Sequence, residues 1–268
     1  MGRRILIGVV FALVALAVTY FGSEQQDVPV TGRSQRVALS DAQQQELGLQ
    51  VYQQTVSEAG DDVINSGADY EQVRRVAERI AAVGAKDKPL FDWEFTLLKR
   101  DEANAFCLPG GKIVVFTGLL DVARTDDELA AVIGHEVAHA VAEHGAERIF
   151  REQLTQRAVA AASGAFADDP QRYQQVAGLL GAGAQVGLAL PWSRAQESEA
   201  DHIGLIYMAR ANYDPGAALT FWKSMQQAAG GSAPPEYLST HPSSATRIRQ
   251  IRAWLPEARA QRGAPAAA

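Results

Sequence analysis

The sequence predicts a mainly helical α+β domain. Three observations carry that expectation. Apolar residues recur at helical spacing, as in Val73, Val76, Ala77 and Ile80. Two short runs, residues 91–98 and 112–117, are instead rich in aromatic and β-branched residues and read as strands. Aromatic content is only 7% while Ala and Gly abound, which suits close-packed helices better than a β-sandwich.

The elements follow in order. Arg3 and Arg4 precede an uncharged run over residues 5–21. A basic start and an apolar core are the layout of an export signal, with Ala15-Leu16-Ala17 as a cleavage site. If the run is retained, it becomes an anchor that keeps the arginines inside and sends the rest across the membrane. No Cys follows it, so a lipoprotein anchor is excluded. Residues 1–22 are thus read as signal peptide or anchor, 23–37 as linker, 38–256 as the folded domain and 257–268 as a flexible tail. Ser40 is an expected N-cap for a helix over 41–58. A second helix fits 70–83 and is expected to end at Gly84. Pro109-Gly110-Gly111 marks a turn, near which the two strands are expected to pair. Thr125-Asp-Asp-Glu128 is a capping box opening a helical stretch to about residue 162. Residues 171–190 read as a helix and mobile connection, a candidate lid. Ser193 opens a second box and a helix to about 210. Further helices fit 217–229 and 245–254.

Composition narrows function. The net charge of -6 and a pI near 5.4 argue against a generic nucleic-acid binder. With 47% hydrophobic and 21% charged residues, the chain is not wholly disordered. A single cysteine, Cys107, rules out an intramolecular disulfide, a Cys-based zinc finger and an iron–sulfur site. Cys107 reads as a small buried hydrophobe.

The chemistry sits in His135-Glu136-Val-Ala-His139. Residues four apart share a helical face, so both imidazoles can reach one metal ion. Glu136, one residue on, can reach a water bound there. Zinc suits two neutral imidazoles, and a catalytic zinc site needs a third protein ligand and an open position. Glu197-Ser-Glu-Ala-Asp201 supplies candidates. Glu197 can complete a His-His-Glu site, and Asp201, on the same face, can accept the free ring N–H of a ligand histidine. Glu199 points elsewhere and reads as a solvated charge.

A resemblance then becomes plain. Its carriers are Asn104-Ala-Phe-Cys-Leu-Pro-Gly-Gly-Lys-Ile, Thr117-Gly-Leu-Leu, the segment from Asp127 to His139, Glu197-Ser-Glu-Ala-Asp-His-Ile-Gly, and Thr240-His-Pro-Ser-Ser-Ala-Thr-Arg-Ile. In order and spacing, these resemble the membrane-associated zinc endopeptidase family of the CAAX prenyl protease, the heat-shock protease HtpX and the periplasmic protease BepA. The match covers about residues 40–254 and is nearest in layout to bacterial periplasmic members. It implies a zincin-like (gluzincin) metallopeptidase fold with a small sheet beside the active helix, and one zinc per chain. It also implies hydrolysis of unfolded or misassembled envelope proteins in the bacterial periplasm. On this resemblance Glu136 is the general base and Glu197 the third ligand. His241, of the His-Pro pair, is either a latency ligand in the open position or a donor to the oxyanion. Arg247 is a surface arginine or an oxyanion or carboxylate donor. Asn104, Ala105, Phe106, Cys107 and Leu108 are expected to form an edge strand to which an extended substrate adds by backbone hydrogen bonds. No chaperone-type repeat module is expected after Trp254.

Two rivals are weighed. Glu136-Val-Ala-His139 and Glu199-Ala-Asp-His202 are both Glu-x-x-His motifs, as in a di-iron bundle completed by Glu46 and Glu78. That reading leaves His135 and the strands without purpose. The other rival is a latent, zinc-binding, chaperone-like module of the periplasm with little proteolytic activity.

Overall fold

The computed structural model describes residues 14, 17–164, 171, 174, 175, 178, 190–229, 237–242 and 245–263. In chain order the elements are β1 (Glu24–Asp27), β2 (Ser34–Val37), α1 (Asp41–Ala59), β3 (Val63–Ile64), α2 (Ala68–Asp87), β4 (Glu94–Leu98), β5 (Ala105–Leu108), β6 (Lys112–Phe116), α3 (Asp126–Val141), α4 (His144–Gly164), α5 (Leu190–Arg210), α6 (Ala217–Ala229), α7 (Tyr237–Thr240) and α8 (Ala245–Ala260). They fall into two compact units.

The first unit takes β1, β2, α4 and the start of α5. The segment expected as a linker is an antiparallel hairpin, with Glu24 opposite Val37 and Asp27 opposite Ser34. Its turn closes through Val28 N–H to the Arg33 carbonyl at 2.8 Å, with Gly32 at φ 65. A polar hub holds the unit. Glu147 on α4 is 1% exposed and accepts two bonds from Arg33 and one from Gln196, each at 3.0 Å. A buried carboxylate is tolerated only with such partners.

The second unit contains the mixed sheet, ordered β3-β4-β6-β5. β4 and β6 do pair, as expected, but in parallel, from Glu94 opposite Lys112 to Leu98 opposite Phe116. The Pro109-Gly110-Gly111 turn instead joins β5 to β6 as an antiparallel hairpin. Gly110 and Gly111 both adopt φ 87, which favours glycine. β5 is therefore the edge strand beside β6. Against the sheet lie α2 and α3, whose Val73, Val76, Ile80, Leu129, Ile133 and Val137 are fully buried.

Several boundaries differ from expectation, each for a physical reason. Gly84 does not end α2. A Cβ there would stand 3.0 Å from Val137 Cγ1 and 3.1 Å from Trp93, so its bareness lets α3 and Trp93 seat against α2. The long helical stretch breaks after Val141. Glu143 takes φ 52, and its buried carboxylate is gripped by Gln44 at 2.7 Å and by Lys88. Those long-range partners override local helix propensity. Ser193 lies inside α5 rather than capping it. The helix already includes Leu190, Pro191 and Trp192, so Ser193 is not its N-cap. α8 runs past Trp254, through Pro256, to Ala260, and so shortens the expected tail. The capping box at Thr125 is formed, with Glu128 N–H to Thr125 Oγ1 at 3.2 Å and Thr125 N–H to Glu128 Oε2 at 3.1 Å.

Among the described residues no helix is long and apolar enough to cross a membrane. Most of the uncharged N-terminal run and of the candidate lid falls outside them.

Candidate active site

α3 and α5 meet at two glycines. A Cβ on Gly204 would lie 3.1 Å from the Gly134 carbonyl carbon and from the His135 backbone nitrogen. A Cβ on Gly134 would lie 3.2 Å from the Gly204 oxygen. Backbones in near contact place the His135–His139 face of one helix against the Glu197–Asp201 face of the other. Gly204→Val should wedge the helices apart. We expect a loss of about 1–3 kcal/mol of stability, as for overpacked cores, together with weaker metal binding. Thermal unfolding and metal titration of the variant check this; an unchanged metal affinity would show that the glycine contact does not set the site.

The donors converge. His135 Nε2 lies 3.1 Å from His139 Nε2, 3.2 Å from His241 Nδ1 and 3.3 Å from Glu197 Oε2. Glu197 Oε1 is 3.3 Å from His139 Nε2, and its Oε2 is 3.0 Å from His241 Nδ1. Four donors, each about 2.0–2.1 Å from one ion, stand about 3.3 Å apart on a tetrahedron. The observed separations, 3.0–3.3 Å, are near that figure, and all four donor atoms lie within 4.8 Å of one another. Each ring can present a lone pair, and the carboxylate an oxygen, to the point on which they converge. A four-coordinate cation fits the set His135, His139, Glu197 and His241.

A second layer fixes these groups. His135 Nδ1 faces Asp201 Oδ1 at 3.1 Å, off the line of an ideal hydrogen bond. Burial alone pulls the His135 pKa down, but hydrogen bonding to Asp201 and Glu197 outweighs it and raises it to about 9. Burial would lift the Glu197 carboxyl, yet the three histidine rings hold it far below the usual carboxylate range. Asp201 is likewise held low by Arg247 against the effect of burial.

Arg247 is not at the surface and not free to meet an oxyanion. It is 5% exposed and bonds both oxygens of Asp201 at 2.7 Å. It also reaches Glu197 Oε2 at 3.0 Å and the Pro242 carbonyl at 3.2 Å, and its guanidinium lies 4.1 Å over the Trp222 ring. Glu199 is not simply solvated either; it accepts a bond from the Thr31 hydroxyl at 2.6 Å.

Glu136 stands beside the donor cluster, with Oε1 3.5 Å from His241 Nε2. The same oxygen accepts the Tyr237 hydroxyl at 2.8 Å. Burial, then the Glu136 charge, pushes the Tyr237 phenol well up, so it is the donor. β5 runs alongside. Phe106 and Leu108 pack towards Tyr52, Leu98 and Val114. Cys107 is half-buried on the opposite face, where burial and then Glu136 raise its thiol pKa. Asn104 is half-buried, its Oδ1 accepting from Ala105 N–H and its carbonyl from Phe116 N–H.

Sequence reasoning assigned no part to Tyr237, Trp222 or the glycine pair. Tyr237 lies four residues before His241, one helical turn, and that spacing was the available signal. The di-iron arrangement is not formed. Glu46 and Glu78 are exposed and bond their own helix neighbours Gln50 and Arg74, while His202 bonds Glu257 and stacks on Trp254.

The comparisons agree with this geometry. The model of "Peptidase family M48" matches residues 68–255. The chain is 38% identical to the "Mitochondrial metalloendopeptidase OMA1" of Schizosaccharomyces pombe over 253 residues, 94% of this chain and 72% of that protein. It is 31% identical to the human "Metalloendopeptidase OMA1, mitochondrial", over 91% of this chain and 48% of that protein. To the "Beta-barrel assembly-enhancing protease" of Escherichia coli it is 29% identical, over 87% of this chain and 48% of that one. It thus spans about half the length of the last two relatives. With the family model covering well over half of its residues, the chain belongs to peptidase family M48 and is a metalloendopeptidase by class.

Proposed function

We propose that the protein is a zinc-dependent endopeptidase acting on unfolded or misassembled envelope proteins. The observation that carries the reading is the Glu136 carboxylate standing beside a compact cluster of His135, His139, Glu197 and His241. Three imidazoles and one carboxylate suit zinc, which takes four such donors. When bound, zinc supplies Lewis-acid activation of water and of a scissile carbonyl. Glu136 then takes the proton of the attacking water and passes it to the leaving amine. Asp201 fixes the His135 ring, and Arg247 holds Asp201 and Glu197 in place. His241 occupies the fourth position, which favours its role as a latency ligand over that of oxyanion donor; it must swing away before a substrate enters. β5 offers an edge to an extended chain, which reads backbone more than side chain and favours broad specificity.

The compartment we favour is the bacterial periplasm, with residues 1–22 as export signal or inner-membrane anchor. Its described end supports an apolar contact: Val14, Val18, Tyr20 and Phe21 are exposed. The relatives named as mitochondrial carry a second reading, a mitochondrial location.

The test is zinc content and casein hydrolysis by the purified chain, with and without a chelator. One zinc per chain and chelator-sensitive cleavage are expected. A zinc-loaded protein that cleaves nothing, even as His241→Ala, would instead favour the chaperone-like module. Zinc affinity should also depend on pH. Without metal, His135 keeps its proton up to about 9, and zinc must displace it. Between pH 6 and 8 the affinity should therefore rise about tenfold per unit, with about one proton released per zinc. A flat profile in a chelator competition would show that His135 is already neutral.

A further inference from the structure

We infer that Tyr237 is a positioning residue that latches the His241 arm shut and, in the same contact, occupies the Glu136 carboxylate. The inference rests on His241 being a latency ligand and extends that reading to the base. Tyr237 opens α7, whose four residues end directly before His241. A helix of one turn does not hold itself in water. The position of the arm therefore depends on its anchors. The Tyr237 hydroxyl donates to Glu136 Oε1 at 2.8 Å. Its ring stacks on the His241 ring, 4.5 Å between centroids and 27° between planes. Its backbone N–H reaches the Ala103 carbonyl at 3.3 Å, and its own carbonyl accepts the His241 N–H at 2.9 Å. The residue is 0% exposed.

Among the contacts of Tyr237 itself the hydroxyl bond is the one made to a carboxylate, and charge-assisted bonds are about twice as strong as neutral ones; the far end of the arm is held by His241 on Glu197 and by Arg247 on the Pro242 carbonyl. One movement of α7 then frees two groups. His241 Nδ1 leaves the donor cluster as the Tyr237 hydroxyl leaves Glu136. The closed arm so blocks both the metal position and the proton acceptor, and an entering peptide must displace both contacts.

Hydrogen–deuterium exchange of residues 237–242 reads arm opening without needing turnover. Tyr237→Phe keeps the ring and its stack and deletes the hydroxyl. It should speed exchange of this segment at least about tenfold, equivalent to roughly 1.4 kcal/mol, and raise casein turnover. Glu136→Ala removes the other end of the same bond. It should speed exchange by a similar factor, and the double variant should go no further than either single one. Unchanged exchange in Tyr237→Phe at normal zinc content, or additive effects in the double variant, would overturn the inference. Should Tyr237→Phe fail to fold, unchanged exchange in Glu136→Ala alone overturns it. His241→Ala separates the two ideas, because it should raise casein turnover if His241 enforces latency. If it does while Tyr237→Phe leaves exchange untouched, latency stands and the latch falls. If it does not, latency fails, and exchange still decides whether Tyr237 holds the arm.

Discussion

Glu136→Gln is expected to keep zinc at one per chain and to lose casein hydrolysis by about 10²–10⁴-fold, the usual contribution of a positioned general base. The substitution is nearly isosteric. Glutamine keeps the side-chain volume and an acceptor oxygen beside the cluster, so metal binding should survive. The amide oxygen that replaces the carboxylate can still accept the Tyr237 hydroxyl, so the arm should stay where it is. What disappears is the capacity to take a proton from water. The comparison is cleanest in a His241→Ala background, where the closed arm cannot mask turnover in the parent protein. Retained hydrolysis there, with zinc bound, would remove Glu136 from the mechanism. The variant also distinguishes a lost base from a lost metal, since a chelated parent and a zinc-loaded Glu136→Gln would be equally inactive but differ in zinc content.

How far the sequence goes is clear from particular residues. His135, Glu136 and His139 are legible because a four-residue spacing maps directly onto one helical face. Glu197 and Asp201 are legible for the same reason on their own helix. The capping box at Thr125 is a local signal and appears as expected. Features that need contacts between distant segments are not legible. Glu143 breaks a helix because Gln44 and Lys88 hold its side chain, and neither lies near it in sequence. Gly84 reads as a helix stop but serves as a seat for Val137 and Trp93. The parallel pairing of β4 with β6 is equally invisible, since strand order is set by packing and not by strand composition. Arg247 shows the same limit most strongly. A charged residue near the start of a helix is normally solvated, and only the meeting of α5 with α8 turns it inward.

That burial makes Arg247→Met the variant with the largest expected loss of stability. In the metal-free protein it should cost about 3–5 kcal/mol, because it strands buried carboxylates without their counter-charge. Asp201 is 6% exposed and loses both of its 2.7 Å bonds; Glu197 loses one at 3.0 Å. The guanidinium stacked over Trp222 goes as well, a further loss of about 0.5–2 kcal/mol if fully desolvated. Arg247→Lys should fall in between, since an ammonium keeps the charge but not the paired bonds. The pH dependence has a definite sign. Arg247 depresses the Asp201 pKa in the folded protein, so the associated stability is present above the unfolded value and is lost as pH falls through the folded one. Wild type and Arg247→Met should therefore differ most near neutral pH and converge under acid, where Asp201 is protonated in both. Bound zinc should narrow the neutral-pH gap, because the cation takes over part of the counter-charge for Glu197. Denaturant unfolding of both proteins at pH 7 and in acid, with and without zinc, measures all three differences. A neutral-pH loss below about 1 kcal/mol, the range of exposed ion pairs, would mean that Arg247 does not hold Asp201 and Glu197 as the geometry requires.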